Sequence, residues 1–321
     1  MVNLSIIIPH YNSSDSLDKL IETIPLSQEI QIIIIDDNSD GIHKRNLFRI
    51  KEKNFHRYIE FYKNDISNRS AGSCRNIGIN HVKGKWILFA DADDYFVEGF
   101  YEILSEYFNT NNDVVFFTPT SVESQTGNLS DRHETLERII SNYIQKQDNE
   151  SELFLRYKFF VPWSKLINTN FLEKNKIDFD EVIASNDVMF STKVGHYMEK
   201  FVTSQKIIYC VTRNRGSLSV NISEGVFDAR LITHINYCDF LKLNLASKDL
   251  KYFNLRGSGY LISVMKYRLG IKKMISTIAI LKKSKIKVFD YKYLNPVYTI
   301  KKIKYHFSEY NKNRKFFTRV Q

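Results

Sequence analysis

In the stretch Gly84-Lys85-Trp86-Ile87-Leu88-Phe89-Ala90-Asp91-Ala92-Asp93-Asp94-Tyr95-Phe96, an apolar run gives way abruptly to acid. Trp86 to Ala90 has the length and composition of a buried strand. Three carboxylates, Asp91, Asp93 and Asp94, follow at its C-terminal edge. Ligands of open α/β sheets bind outside the carboxyl ends of the strands, so acids at this position point to a site. Asp91 and Asp93 repel each other unless a cation offsets their charge, and hard carboxylate oxygens suit Mg2+ or Mn2+. The plainer reading of the same residues is a solvated acidic turn leading into a helix near Glu98. The flanking sequence favours the site.

Toward the N-terminus the chain has strand-helix-strand grammar. Leu4 to Ile8 is an apolar strand closed by Pro9-His10-Tyr11-Asn12, and Leu17, Leu20, Ile21 and Ile24 then recur at helical spacing behind Ser13, Ser14 and Asp15. Ile30 to Ile35 is continuously apolar apart from Gln31, as a parallel strand covered on both faces should be, and it ends in Asp36-Asp37-Asn38-Ser39. A polar helix over Ile42 to Lys53 and a strand from Arg57 to Lys63, ending at Asn64-Asp65, come next. Ser70-Ala71-Gly72-Ser73-Cys74-Arg75-Asn76 opens a helix that runs to Gly84. After the acidic cluster, the pattern predicts a helix over Glu98 to Phe108 and a strand over Asp113 to Thr118. Polar groups at Tyr11, Asp37 and Asp93 thus converge on one edge of one sheet. No Gly-x-Gly-x-x-Gly follows the first strand and no Gly-x-x-x-x-Gly-Lys-Ser/Thr occurs, so phosphate is left to metal and arginine.

Pro119 to Asp131 is loop-like, with helices expected between His133 and Tyr157 and a short one over Phe171 to Lys176. Ser185-Asn186-Asp187 heads an amphipathic helix, Phe201 to Thr212 alternates like a strand, and Arg213-Asn214-Arg215-Gly216-Ser217 is a basic turn. Helical patterns dominate from Gly225 onward. The chain therefore divides into residues 1–118, 119–222 and 223–321. The expected fold is α/β, an open and mostly parallel sheet flanked by helices, followed by a basic helical region.

The three cysteines, Cys74, Cys210 and Cys238, form no Cys-x-x-Cys pair, and no secretory leader precedes Leu4; both features suit a reducing cytoplasmic setting. The net charge of +10 conceals an asymmetry. Lys251 to Gln321 holds 18 Lys or Arg against two acids, a formal +16, which leaves −6 for the rest. Such a region suits a polyanionic partner: nucleic acid, an anionic membrane or a charged substrate.

Ile6-Ile7-Ile8-Pro9-His10-Tyr11-Asn12, Ile35-Asp36-Asp37-Asn38-Ser39, Ala71 to Ile79 and Phe89-Ala90-Asp91-Ala92-Asp93-Asp94 together resemble, in order and spacing, the family 2 glycosyltransferases of the GT-A fold. Trp163-Ser164-Lys165-Leu166, Asn186-Asp187 and Arg213 to Ser219 extend the likeness to about residue 220, and the last hundred residues carry none of it. The resemblance implies that Pro9, Tyr11 and Asp37 cradle the base and ribose of a nucleoside-diphosphate sugar, a UDP-sugar above all. It implies further donor contacts at Asp65, Arg75 and Arg213. Asp91 would touch ribose or metal-bound water, and Asp93 would ligate Mg2+ or Mn2+. Asp187 stands where the family places its catalytic base, and Trp163, Lys165 and Asn186 would meet acceptor or sugar. Many relatives have Glu where this chain has Asn186.

The chemistry agrees with that assignment. Expelling a nucleoside diphosphate requires stabilisation of its negative charge, which a divalent cation and an arginine supply, and the acceptor hydroxyl needs a base on the opposite face. A single displacement inverts the anomeric centre. Resemblance to bacterial surface-polysaccharide enzymes implies a glycan or polyprenyl-diphosphate-linked acceptor. No Gln-x-x-Arg-Trp precedes either tryptophan, so one sugar per encounter is expected rather than processive synthesis.

The basic tail alternates apolar residues (Leu261, Val264, Ile271, Ile275, Ile278, Leu281) with Lys266, Arg268, Lys272 and Lys273, and Tyr291 to Phe317 mixes aromatics with Lys and Arg. These charges exclude a spanning helix and predict a peripheral contact with the cytoplasmic face of a membrane; a packed appendage or a dimer interface has the same pattern. A nucleic-acid binder would account for the tail but not for the acidic cluster. A sugar nucleotidylyltransferase would need a Gly-rich loop where Pro9 to Asn12 stands, and a non-catalytic sugar-binding scaffold is the reading left if Asn186 marks a lost site.

Overall fold

The structure, a computed structural model, describes residues 1–65, 69–213, 223–288 and 295–313. The chain forms two compact units, Met1–Arg213 and Asn214–Gln321. The first is built on one mixed sheet. Its strands are β1 (Leu4–His10), β2 (Ile30–Asp36), β3 (Ile59–Lys63), β4 (Trp86–Phe89), β5 (Tyr95–Phe96), β6 (Val114–Glu123), β7 (Lys165–Asn168) and β8 (Phe201–Arg213), in the order β3-β2-β1-β4-β7-β6-β8-β5. β1 pairs in parallel with β2 and β4, β2 with β3, and β6 with β8; β7 is antiparallel to both β4 and β6, and β5 to β8.

The isoleucine runs explain the centre of the sheet. β-branched side chains suit the pleat, and a strand apolar on both sides must be covered on both. Ile6, Ile7 and Ile8 lie opposite Ile32, Ile33 and Ile34, and all six are buried. The crossover helices are α1 (Ser14–Glu22), α2 (Gly41–Lys53) and α3 (Ala71–Ile79). Because β2, β1 and β4 are parallel neighbours, their C-terminal ends, at Asp36, His10 and Phe89, open on one edge. That edge is the one the sequence pattern anticipated.

α4 (Phe100–Ser105) follows β5, a two-residue strand that sequence patterning does not reveal. Pro119 to Asp131 departs from the loop expected there: β6 continues through Pro119 to Glu123, because its pairing with β8 persists to Glu123↔Arg213 across two register shifts. A boundary at residue 118 thus falls inside a strand, and the two halves flanking it share one sheet. α5 (Glu134–Lys146), α6 (Asn149–Lys158), α7 (Thr169–Asn175) and α8 (Asn186–Tyr197) complete the unit.

The second unit is helical among the described residues: α9 (Glu224–Asn244), α10 (Ser247–Leu250), α11 (Ser258–Lys266), α12 (Ile271–Lys283) and α13 (Pro296–Asn313). Ser223 caps α9 by accepting from the Val226 N–H. Leu261, Val264, Leu281, Ile286 and Val288 are buried here. Residues 214–217 of the predicted basic turn, the rest of the family-like stretch to residue 219, and parts of the aromatic-basic tail lie outside the described residues.

Candidate active site

The turns after β1 and β2 are built as one piece. His10 is buried; its Nδ1 lies 3.3 Å from Asp36 Oδ1, and its Nε2 accepts from the Ser13 N–H at 3.3 Å. Burial alone would raise the Asp36 carboxyl, but hydrogen bonds from His10 and Ser39 hold it below its ordinary value. Asn12 and Asn38 adopt left-handed backbone (φ 46° and 66°), which Asn tolerates better than most residues. Asn12 N–H donates to Ser39 Oγ, and Asn12 Oδ1 accepts from Asp40 N–H, both at 2.9 Å. On this frame Pro9 is partly buried and Tyr11 is 58 % exposed. Asp37 Oδ1 accepts from Asn64 Nδ2 at 2.6 Å, and Asn64 itself is fully buried. Asp65, one residue on, is exposed and ion-paired to Lys63.

The acidic turn is anchored from β8. Asp94 is 5 % exposed and accepts from Tyr209 Oη (2.9 Å) and from the Thr212 N–H (2.7 Å). The Tyr209 oxygen in turn accepts from the Asp91 N–H at 2.8 Å, and the Thr212 hydroxyl bonds the Asp93 carbonyl. Burial, followed by the charges of Asp93 and Asp91, pushes the Asp94 carboxyl well above the usual range. Asp91 and Asp93 remain partly exposed. Among the described residues no group of three or more His, Cys, Asp or Glu side chains forms a metal cage. The donor set still fits a divalent cation of the Mg2+ type, which is commonly held by one or two carboxylates together with substrate phosphates. The charges of Asp93 and Asp91, which add to burial in raising Asp94, are those such a cation would offset.

α3 joins this turn to α8. Its N-cap Ser70 accepts from the Ser73 N–H, and the helix is pressed so close to the preceding loop of α8 that a Cβ on Gly72 would lie 2.3 Å from the Asp180 carbonyl oxygen. Asn76 pairs with the Phe179 backbone like a strand, accepting from its N–H (2.8 Å) and donating to its carbonyl (3.0 Å). Phe179 stacks on Phe190 of α8 at 3.7 Å, and the Arg75 guanidinium lies over the Phe179 ring at 5.2 Å. Arg75 is buried, and it donates to Asp91 Oδ1 from Nη2 and to Asn186 Oδ1 from Nη1. Asp187, in the first turn of α8, follows Ser185, whose left-handed conformation turns the chain sharply into the helix. Burial raises the Asp187 carboxyl above its ordinary value, and the attraction of Arg75 only partly opposes this.

The Arg75 guanidinium thus joins Asp91 to Asn186 and acts by its charge on Asp187, while Asp37 and Tyr11 lie on the turns after β2 and β1. Three other sequence candidates sit differently. Trp163 is 7 % exposed and stacks on Tyr209 at 5.4 Å. Lys165 is 1 % exposed, donates to the Phe159 carbonyl at 2.7 Å, and is lowered by burial to about 7 against the opposing charge of Asp187. Arg213 is ion-paired to Asp131 at 2.6 Å. The sequence pattern gave Asp94 no role of its own within the acidic cluster and gave none to Tyr209, Asn64 or Asn76. Asp94 had a signal, as the third acid of the cluster; nothing in the local sequence marks Tyr209.

The first unit agrees with known proteins in sequence and in fold. The glycosyl transferase family 2 model matches residues 5–176. Glycosyltransferase GlyA of Streptococcus pneumoniae is 24% identical over 238 residues, covering 67% of this chain and 31% of GlyA. The poly(ribitol-phosphate) beta-glucosyltransferase of Bacillus spizizenii is 27% identical over 228 residues, 68% of this chain and 34% of the relative. The chain therefore spans about a third of the length of these curated relatives. Among solved structures, residues 1–349 of Staphylococcus aureus TarS, crystallised in complex with UDP-GlcNAc, share the fold with a TM-score of 0.62 and 16% identity, over 88% of this chain and 81% of that one. With more than half of its residues matched by the family model and its acidic turn, Arg75 and Asp187 gathered at the sheet's open edge, the chain belongs to glycosyl transferase family 2.

Proposed function

We propose that the protein is an inverting, metal-dependent glycosyltransferase that moves one hexosyl or N-acetylhexosaminyl group from a nucleoside-diphosphate sugar, preferentially a UDP-sugar, to a hydroxyl of a glycan or polyprenyl-diphosphate-linked acceptor. The setting is surface-polysaccharide synthesis, with the enzyme peripheral on the cytoplasmic face of the cell membrane. The observation behind the reading is the Arg75 bridge, which ties the acidic turn at Asp91 to the head of the helix that bears Asp187. Similarity to a protein solved with UDP-GlcNAc, and to one named for poly(ribitol-phosphate), supports a UDP-sugar donor and a hydroxyl-rich acceptor.

Each residue then has a task. Tyr11, exposed on the turn after β1, and Asp37, fixed by Asn64, receive the base and ribose. Asp93 and Asp91 would hold Mg2+ or Mn2+, which when bound offsets the charge of the diphosphate. Arg75 adds a permanent positive charge that binds the leaving group and steadies Asp91. Asp187 takes the proton of the acceptor hydroxyl while the acceptor oxygen bonds to the anomeric carbon and the bond from that carbon to the diphosphate oxygen breaks. A raised carboxyl pKa makes Asp187 a better proton acceptor than an exposed aspartate, and general-base assistance is typically worth about 10²- to 10⁴-fold.

Thermal stabilisation by a panel of UDP-, GDP- and dTDP-sugars, each with Mn2+ and with EDTA, tests the reading. A metal-dependent rise with one class of donor supports it; no rise with any donor contradicts it.

A further inference from the structure

The second unit carries an exposed surface of isoleucine and lysine. α12 packs through Thr277 and Leu281, and the buried leucine is pressed against Gly257, where a Cβ would lie 2.4 Å from Leu281 Cδ1. Lys273, on the inner side, is ion-paired to Glu224 (2.9 Å) and Asp228 (2.6 Å) of α9. The outer side is of another kind. Ile271 is 71 % exposed and Ile275 62 %, one turn apart on the same stripe, with Ala279 beside them and Lys272, Lys282 and Lys283 exposed alongside. No Asp or Glu occurs from Lys251 to Val288. α13 repeats the chemistry: Val297, Ile300, Lys301, Lys304 and Tyr305 are exposed at helical spacing, and its first carboxylate is Glu309.

We propose that the outer faces of α12 and α13 dock on the surface of an anionic lipid bilayer. Isoleucine and valine exposed between lysines match a bilayer interface, where acyl chains receive the apolar side chains and anionic headgroups the ammonium groups. Nucleic acid offers phosphates but little for Ile271 and Ile275 to bury against. A second copy in a symmetric contact would set lysine against lysine with no carboxylate on either face to separate them. The contact lies on the membrane: among the described residues no helix is long and apolar enough to cross one. The proposal gives a surface to the peripheral membrane location in the proposed function and rests on that part of it, but not on the transfer chemistry.

Flotation of the full chain with vesicles of phosphatidylglycerol and phosphatidylcholine, against pure phosphatidylcholine, tests it. Three variants accompany the parent: Ile271→Ser/Ile275→Ser, Lys282→Gln/Lys283→Gln, and, as a control of equal charge change on the first unit, Lys44→Gln/Lys51→Gln. The parent and the control should float with anionic vesicles only, and less so as salt rises. Loss of two headgroup contacts should weaken partition roughly 30-fold, and loss of the two isoleucines should weaken it at least tenfold, roughly, at unchanged charge. Circular dichroism should show all variants folded. Equal flotation with both lipids, none with either, or a control as weak as the α12 variants would overturn the proposal. So would isoleucine-dependent dimerisation or salt-sensitive RNA binding without flotation.

Discussion

Arg75 and Asp91 form an ion pair of 2.5 Å in which the arginine is buried and the carboxylate half-buried, so the acidic turn is held by a charge that comes from the helix after β3. The same guanidinium bonds Asn186 at 2.9 Å. One side chain therefore ties the acidic turn after β4 to the head of α8. Arg75→Met should cost roughly 1.5–3 kcal/mol of stability, the usual range for hydrogen bonds to charged groups. It should also weaken donor binding. Arg75→Lys keeps the charge but not the fork, so it should recover part of the donor affinity and little of the transfer rate. Denaturant unfolding and donor titration measure the two effects separately.

Gly72 tests the close approach of α3 to the loop before α8. An alanine Cβ there would meet the Asp180 carbonyl oxygen at 2.3 Å and Asn186 Cβ at 2.9 Å, and the backbone carbonyl has no rotamer by which to retreat. Gly72→Ala should destabilise by about 1–3 kcal/mol, the cost of overpacking, and should lower transfer more than donor binding because the displaced segment carries Asp187. Unchanged transfer in a destabilised variant would show that the loop relaxes away from the site.

The proposed role of Asp187 as base carries a pH dependence. Its carboxyl is raised by burial, against the opposing charge of Arg75, and a base acts in the ionised form. Activity should therefore rise with pH through the raised value, with the acid limb displaced above the usual aspartate value of about 3.9. Asp187→Asn should lose roughly 10²-fold or more of the rate, lose that limb, and keep donor affinity within a few-fold. A pH–rate profile of parent and variant decides this.

Lys165 makes a prediction of opposite kind, about stability alone. Burial lowers it to about 7, so the folded state disfavours its protonation, whereas the unfolded chain protonates at about 10.4. The folded protein then gains nothing from this group at low pH: stability is present above the unfolded value and is lost as pH falls toward 7. Lys165→Met forfeits the hydrogen bond to the Phe159 carbonyl, about 1 kcal/mol, and removes the titration. Relative to the parent, its Tm should rise as pH falls from 10 to about 7 and level off below that. A constant difference across that range would show that the lysine is not titrating.

The order of elements was legible in the sequence where local pattern and tertiary role coincide. Ile6–Ile8, Ile32–Ile35 and Trp86–Phe89 are apolar because they are central strands, and acids at their ends face the same edge because parallel strands place their C-termini together. The continuation of β6 through Pro119 was not legible, since its strand character comes from β8, more than eighty residues away. Trp163 and Lys165 show the limit for site residues: the sequence motif does not reveal that the indole stacks on Tyr209 or that the ammonium donates to a backbone carbonyl. Tyr209 was invisible for a related reason. Its hydroxyl connects Asp94 and Asp91 only because β5 and β8 pair.

Metal-dependent transfer through the acidic turn is read out by the release of nucleoside diphosphate from the donor selected by the thermal panel. The parent protein should release it with Mn2+ or Mg2+, faster with a hydroxyl-bearing acceptor, and at background rate in EDTA. Asp93→Ala should lose the metal-dependent part while remaining folded. Equal release in EDTA and in Mn2+, or a parent-like rate from Asp93→Ala, would contradict the account.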